Sequence, residues 1–293
     1  MKILAIILGK AKLRHRLQQI LTESDASIDV AMTSGKGNAN ELASSSSGYD
    51  VVLSCGGDGT INEVINGLMS IDKESRPSMG VIELGSGNDF VRNLDRCTVS
   101  ELVDHIKSSE SGRKVDILKI SASGTEKYAL NMITCGIGAE IAGTVNRRKY
   151  MLPTGINYYS SIIQWLVKYQ APEVSITIDG KEFTSKTLLT ALANGTYAGN
   201  GLGLNPQSSI DDGLMGVTAI GNVSVFDFLK YQTTLKRADY VDDRRLQYLT
   251  SGKTKLEVIS GVLAIETDGE EFVRLSPGQW AEVELLPMAF GLV

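Results

Sequence analysis

Short apolar runs without polar alternation punctuate the first 120 residues, at 3–8, 28–32, 51–54 and 80–83, and they read as strands. Between them, helical spacing of apolar positions predicts helices over 13–22, 40–47 and 61–69. Strands separated by helices predict a parallel α/β layer. Uninterrupted apolar strands suit a sheet covered on both faces.

Past Asp116 the pattern changes. Strand-like pieces recur at 117–121, 128–134, 174–178, 188–194, 215–220, 255–259, 263–267 and 281–286. Asp179-Gly180 is a hairpin turn leading into a strand near Phe183. Strands at such close spacing predict a β-sandwich-type second domain, interrupted by helices near 158–169 and 225–236. The predicted partition is an α/β domain over 1–121, joined by the C-terminal segment 287–293, and a β-rich domain over 122–286. The aromatic-rich stretch 158–169 suits either a membrane-facing groove or a packed core helix.

A chain of 293 residues with 42% apolar content has material for two such cores. A net charge of −5 argues against nucleic acid as the main partner. Cys55, Cys97 and Cys135 are odd in number and far apart, which suggests neither a disulfide framework nor a zinc site. The apolar start is too short for a signal peptide and is followed by Lys10, Lys12, Arg14 and Arg16. No run reaches the roughly 18 apolar residues of a membrane span. The expectation is a cytoplasmic protein that meets any lipid substrate at a membrane surface.

The chemistry concentrates in two glycine loops. Ser54-Cys55-Gly56-Gly57-Asp58-Gly59-Thr60-Ile61-Asn62-Glu63 ends a buried strand and opens a helix. Its glycines let the main chain approach a ligand closely, and the helix start offers N–H groups and partial positive charge to a phosphate. Asp58 repels phosphate unless a divalent cation or a water bridges the two. The plainer reading is a tight strand-to-helix turn in which Thr60 only caps. A second loop, Gly85-Ser86-Gly87-Asn88-Asp89-Phe90, follows another strand. Two loops at the carboxyl ends of parallel strands fall on the edge where open α/β sheets bind ligands.

As an ordered set, these motifs resemble the diacylglycerol kinase catalytic-domain family, which includes bacterial lipid kinases and sphingosine kinases. The resemblance runs along nearly the whole chain. It extends to Met32–Ala39, to Arg113-Lys114-Val115-Asp116, to the Gly199–Leu204 turn, to Ser209-Ile210-Asp211-Asp212-Gly213-Leu214 and to Glu266-Thr267-Asp268-Gly269-Glu270. It implies an ATP- and Mg²⁺-dependent kinase acting on a membrane lipid hydroxyl, with a fold like that of NAD kinase and diacylglycerol kinase. By the same resemblance Thr33, Gly56, Gly57, Asp58, Gly59, Thr60, Asn62, Gly85, Ser86, Gly87, Asn88 and Asp89 line the nucleotide. Asp58, Asn88, Asp89 and Asp116 order Mg²⁺ and water. Asp212, with main-chain oxygens of Ser209 and Leu214, holds a structural cation. Asp268 takes the hydroxyl proton, with Glu270 beside it. By pattern alone, Asp268-Gly269 reads as a type I′ hairpin turn, and the ordered set of motifs is what turns the reading to chemistry.

The chain departs from the family at its first strand. An Asn-Pro-x-Ser-Gly loop is usual there, and Leu8-Gly9-Lys10-Ala11-Lys12 takes its place. Ser86 stands where threonine is commoner and keeps the hydroxyl. Rival motifs are missing or incomplete. Ser251-Gly252-Lys253-Thr254 imitates the end of a Walker loop, but Gln247 replaces the required glycine. His15 and His105 are the only histidines, and no G-x-S-x-G elbow occurs. The two alternatives carried forward are an NAD kinase-like enzyme and a non-catalytic lipid- or nucleotide-binding relative. The Gly-Ser-Thr-Ala-Tyr stretch of NAD kinases is missing here.

Overall fold

The computed structural model describes residues 1–11, 14–23, 27–85, 87–95, 97–108, 112–148 and 153–293. The chain divides into two compact units, residues 1–115 with 288–293, and residues 116–287.

In the first unit, β1 (Ile3–Ile7), β2 (Ile28–Met32), β3 (Val51–Gly56) and β4 (Ser78–Glu83) form a parallel layer in the order β2-β1-β3-β4. Helices α1 (Arg14–Glu23), α2 (Asn38–Ser44), α3 (Asp58–Met69) and α4 (Val99–Lys107) connect or follow these strands. Every residue of β1 and β3 is buried, as their unbroken apolar runs require, while the outer strand β2 is partly exposed. Ile3, Ile7, Leu53 and Cys55 pack with Leu17 and Leu21 of α1 and Leu102, Val103 and Ile106 of α4. At the end of the chain, Leu292 pairs in parallel with Met79, and the Val293 N–H donates to the Met79 carbonyl at 2.9 Å.

Helix α3 starts at Asp58, three residues before its apolar stripe at Ile61 begins. The first turn is polar because the ladder ends at Gly56 and the chain bends at once. Helix α4 is announced by Thr98-x-x-Glu101, a reciprocal capping box whose apolar spacing alone is too short to predict a helix.

The second unit begins inside β5 (Arg113–Ala122), which pairs with β6 (Thr125–Ala129). Next come β7 (Met132–Gly136), α5 (Ile137–Arg147), α6 (Thr154–Lys168), β8 (Glu173–Ile178), β9 (Lys181–Lys186) and β10 (Leu189–Ala193). A short pair, β11 (Tyr197–Ala198) and β12 (Leu202–Gly203), precedes β13 (Met215–Ile220) and α7 (Val225–Lys236). The last strands are β14 (Leu246–Ser251), β15 (Lys253–Ser260), β16 (Leu263–Thr267), β17 (Glu270–Leu275) and β18 (Trp280–Leu292). One antiparallel sheet runs β14-β13-β10-β7-β16-β17, and strands β18, β15, β8 and β9 pair antiparallel in that order.

Alternation sorts the side chains of the central strands. Ile133 and Cys135 of β7 and Leu192 of β10 join Leu118, Val174, Leu256 and Val283 in the sandwich core. Met132, Leu189, Ala191 and Ala193 point to the opposite face and meet α5, α6 and α7. In α6, Tyr158, Tyr159, Trp165 and Leu166 pack into that layer, whereas Ile156 and Val167 face outward, 61% and 76% exposed. The stretch is therefore both a packed helix and an apolar outer stripe.

The stretch 128–134 is two strands, not one. The break at Leu130 and Asn131 exists because their main-chain groups serve other partners. Asn131 accepts N–H groups from Asn194 and Gly195, both at 2.9 Å, and both Leu130 and Asn131 donate to Asp268. The Walker-like Ser251–Thr254 stretch is a tight turn between β14 and β15, capped by the Asp179 carboxylate on the Gly252 and Lys253 N–H groups.

Candidate functional site

In the first unit the two glycine loops touch. Gly57, with φ −107° and ψ −172°, precedes α3, and Thr60 and Ile61 donate their N–H groups to its carbonyl. Thr60 does not cap. Its side chain lies over Gly56, where an added Cβ would sit 2.3 Å from Oγ1. The Leu84 N–H donates to the Gly56 carbonyl at 2.7 Å, so pairing of β3 with β4 continues past the strand ends. That carries Gly85 against Gly57. A Cβ on Gly85 would lie 2.6 Å from the Gly57 Cα, and one on Gly57 would lie 3.1 Å from the Gly85 Cα. Only hydrogen fits between the two main chains.

Asp58 closes over this contact. Its Oδ1 accepts the Phe90 N–H at 3.3 Å, and a Cβ on Gly87 would lie 2.9 Å from its Oδ2. Burial raises the Asp58 pKa, and main-chain N–H groups from Phe90, Asn88 and Asp89 oppose that shift only in part. Asn88 adopts the left-handed region at φ 54°, and its Nδ2 donates to the Gly85 carbonyl at 3.2 Å. Its Oδ1 is buried without a hydrogen-bond partner among the described residues. Asp89 lies 3.8 Å from Arg92, and Asn62 is buried in α3 behind the loop. Ser86 lies outside the described residues.

Thr33, beyond β2, is fixed from two sides. Its N–H donates to the Ile7 carbonyl at 2.9 Å, and its Oγ1 accepts the Gly9 N–H at 3.1 Å. A Cβ on Gly9 would fall 2.2 Å from the Thr33 carbonyl oxygen, so the altered first loop still needs its glycine. Lys10 is exposed, and Lys12 lies outside the described residues. Glu63 adds a tie that spacing does not reveal. Its carboxylate accepts N–H groups of Gly37 at 2.8 Å and Ala39 at 3.1 Å, binding the start of α2 to the helix that begins beside Gly57.

The second unit gathers the other candidates. Asp116 is fully buried, accepts the Gly213 N–H at 2.7 Å and donates its own N–H to the Ile210 carbonyl at 2.7 Å. It thereby grips the 209–214 loop. Within that loop the Ser209 hydroxyl donates to Asp211 at 2.8 Å, and Asp212 accepts the Leu214 N–H at 2.9 Å. Burial, with repulsion from Asp116 and Asp211, raises the Asp212 pKa. No cluster of three or more His, Cys, Asp or Glu side chains set to hold a metal occurs among the described residues. A cation bound here would rest on one or two carboxylates and main-chain oxygens, an all-oxygen set that fits a hard divalent ion.

Asn194, which spacing does not single out, joins this loop to the next group. Its Nδ2 donates to the Asp116 carbonyl at 2.9 Å and to the Leu130 carbonyl at 2.7 Å. Leu130 begins the bend that receives Asp268. The Asp268 Oδ2 accepts the Leu130 N–H at 3.0 Å, while Oδ1 accepts those of Asn131 at 3.0 Å and Met132 at 2.9 Å. Asp268 and Gly269, at φ 49° and 86°, make the left-handed pair of a hairpin turn between β16 and β17. The turn and the anchored carboxylate coexist, and Glu270 heads the next strand.

Two residues before Asp268, the buried Glu266 accepts the Thr134 hydroxyl at 2.6 Å and also the Gly269 N–H. Burial pushes its pKa from 4.5 to about 7, against those two donors. The folded chain therefore keeps a proton that the unfolded chain has released. This group's contribution to stability falls as pH rises from about 4.5 to about 7.

A parallel α/β unit with paired glycine loops and a β-sandwich unit with a carboxylate-bearing turn define the class shared by diacylglycerol kinases and NAD kinases. Residues 8–120 match the diacylglycerol kinase catalytic domain, and residues 131–293 match the YegS C-terminal NAD kinase beta sandwich-like domain. The chain belongs to the diacylglycerol kinase and YegS-like lipid kinase family. It is 26% identical to a diacylglycerol kinase of Bacillus subtilis (strain 168), over 94% of this chain and 90% of that protein. A probable lipid kinase YegS-like of Yersinia pestis (strain Pestoides F) is 30% identical over 71% of this chain and 69% of its own length. The fold matches a putative diacylglycerol kinase from Bacillus anthracis str. Sterne at a TM-score of 0.77 and 23% identity, covering 100% of this chain and 97% of the other. An NAD kinase from Archaeoglobus fulgidus, solved with ATP, matches at 0.55 and 16% identity, over 97% and 90%.

Proposed function

We propose that this chain transfers the γ-phosphate of ATP to the hydroxyl of a membrane lipid, with diacylglycerol or a related lipid as acceptor. The observation that carries the reading is the contact of Gly57 with Gly85. Two side-chain-free bends at neighbouring strand ends, beside the start of α3, make a cradle for phosphate oxygens. The residues suit ATP. The main chain is bare of side chains at Gly56, Gly57 and Gly85, and the buried Asn88 Oδ1 can accept from a nucleotide hydroxyl or a cation-bound water. They also suit Mg²⁺, through Asp58 beside the phosphates and through Asp212 with the carbonyls of Ser209 and Leu214. When bound, the cation neutralises charge on the phosphates.

Asp268 is the group assigned to the lipid hydroxyl proton. Three main-chain donors fix its carboxylate, which gives a base its direction. Glu270 follows across the turn and supports the same acceptor. The proposed acceptor lies in a bilayer, and the reading has the protein meet it by peripheral contact; no helix among the described residues is long and apolar enough to cross a membrane. Among the functions of this fold, NAD⁺ phosphorylation is the natural competitor.

The test is an assay of purified protein with Mg²⁺ and labelled ATP against vesicles carrying diacylglycerol, phosphatidylglycerol, a sphingoid base or a polyprenyl alcohol, with NAD⁺ as a parallel acceptor. Label is expected in a lipid. Label in NAD⁺ and in no lipid overturns the proposal. The cation assignment has its own expected result: Asp212→Ala raises the Mg²⁺ concentration needed for half-maximal activity by about 10–100-fold. It also removes the Mg²⁺-dependent rise in melting temperature. An unchanged Mg²⁺ titration means that the cation binds elsewhere.

A further inference from the structure

We propose that Glu266 is a positioning residue: its buried carboxylate clamps the Gly269 peptide and so sets the Asp268–Glu270 turn for phosphate transfer. The inference rests on the reading of Asp268 as the group that meets the lipid hydroxyl.

The clamp holds Gly269 through the two peptide units that flank it. Glu266 Oε2 accepts the Gly269 N–H, and the Asn146 side-chain amide, from α5, donates to the Gly269 carbonyl at 2.9 Å. The other oxygen of Glu266 is held by the Thr134 hydroxyl at 2.6 Å. Thr134 has room because residue 138 is glycine, where a Cβ would lie 2.3 Å from the Thr134 Oγ1. Gly138, Thr134, Glu266 and Gly269 thus form one chain of contacts through the sheet into the turn. The Asp268 side chain leaves the same turn to its three main-chain donors. A turn without these ties has a left-handed Gly-containing backbone with wide freedom. A geometry error near 1 Å at a reacting group costs about 100-fold in rate.

An ordinary hairpin does not require a carboxylate here. Glu266 is 5% exposed, and burying an ionisable group is expensive unless it is hydrogen-bonded. An uncharged hydrogen-bonding side chain would hold the turn more cheaply, so the ionisable group points to a use for its charge. The ionisable groups around it are Asp268 on its own turn, Lys127 on β6, Cys135 on β7 and Glu271 opposite it on β17, and α5, which packs on β16, carries Glu140 and Arg147. Glu140 and Glu271 are both engaged by Arg274. Loss of the Glu266 proton strengthens its bond to the Gly269 N–H, since a charged acceptor holds a donor more tightly than a neutral one.

The experiment compares wild type with Glu266→Gln and Glu266→Ala. Glutamine keeps the shape, with its oxygen on the Gly269 N–H and its amide on Thr134, and removes the titration. In wild type, the Gly269 amide proton observed by NMR moves downfield as pH rises through about 7, and in Glu266→Gln it stays still. In lipid phosphorylation, wild-type kcat rises through the same pH window and Glu266→Gln lacks that inflection. Glu266→Ala loses about tenfold or more in kcat at pH 8, with KM for ATP changed by less than about twofold. A Gly269 amide that does not titrate in wild type overturns the clamp, and so does a Glu266→Gln profile superimposable on wild type. If the protein phosphorylates no lipid, the proposed function fails, while the amide titration still decides the clamp. If Glu266→Ala does not fold, the glutamine variant supplies both readouts.

Discussion

A Gly85→Ala variant is expected to lose ATP-dependent phosphate transfer by about 100-fold while keeping most of its fold. The added methyl would lie 2.6 Å from the Gly57 Cα and 2.7 Å from the Asn88 Oδ1. The first neighbour is main chain and cannot rotate aside. The two loops must separate, and the proposed phosphate cradle widens with them. Overpacking of this kind costs about 1–3 kcal/mol, a modest fall in melting temperature for a chain of this length. The loss is predicted to fall on nucleotide affinity more than on lipid affinity, because no lipid group is assigned to this contact. Gly48→Ala is the matched control. Nothing lies within 4 Å of its added Cβ, so activity and melting temperature should stay at wild-type values. Calorimetry with a non-hydrolysable ATP analogue separates the two variants. Undiminished ATP affinity in Gly85→Ala would mean that the triphosphate lies away from the paired loops.

The parts of the molecule that sequence makes legible are those where a local rule acts alone. Strands β1 and β3 are readable because full burial on both faces demands unbroken apolar runs. The glycine loops are readable because contact between two main chains excludes every side chain, which leaves a mark at fixed positions. Helix α5 is less visible. Its N-cap is Gly136, whose φ of 97° and closeness to the Leu188 carbonyl make the glycine look like a plain turn. The supporting groups are illegible for another reason. Glu63 holds Gly37, Asn194 holds Leu130 and Glu266 holds Thr134, across 26, 64 and 132 residues. No spacing rule connects them, because the fold alone brings each pair together. The break at 130–131 is hidden in the same way, since its cause is Asp268, more than a hundred residues later.

Asp268 is the position where substitution should separate chemistry from architecture. Asp268→Ala removes the acceptor for the Leu130, Asn131 and Met132 N–H groups together. Bonds to a charged acceptor contribute about 1.5–3 kcal/mol each, and water entering in place of the half-buried Asp268 side chain recovers part of the loss, so a total near 2–4 kcal/mol is expected. Activity should fall to background. Asp268→Asn is the more informative change. Its single oxygen can serve Asn131 and Met132, but its NH₂ then faces the Leu130 N–H, donor against donor. The bend should survive with a smaller stability loss, while removal of the proposed base is expected to lower kcat by about 10²–10⁴-fold. ATP affinity should stay near wild type, because the residues assigned to the nucleotide belong to the other unit. Single-turnover kinetics, chemical denaturation and ATP titration on the two variants read these effects separately. If Asp268→Asn turned over lipid at the wild-type rate, Asp268 would be an architectural residue only. The proton would then have to leave through another group, with Glu270, next across the turn, the first to substitute.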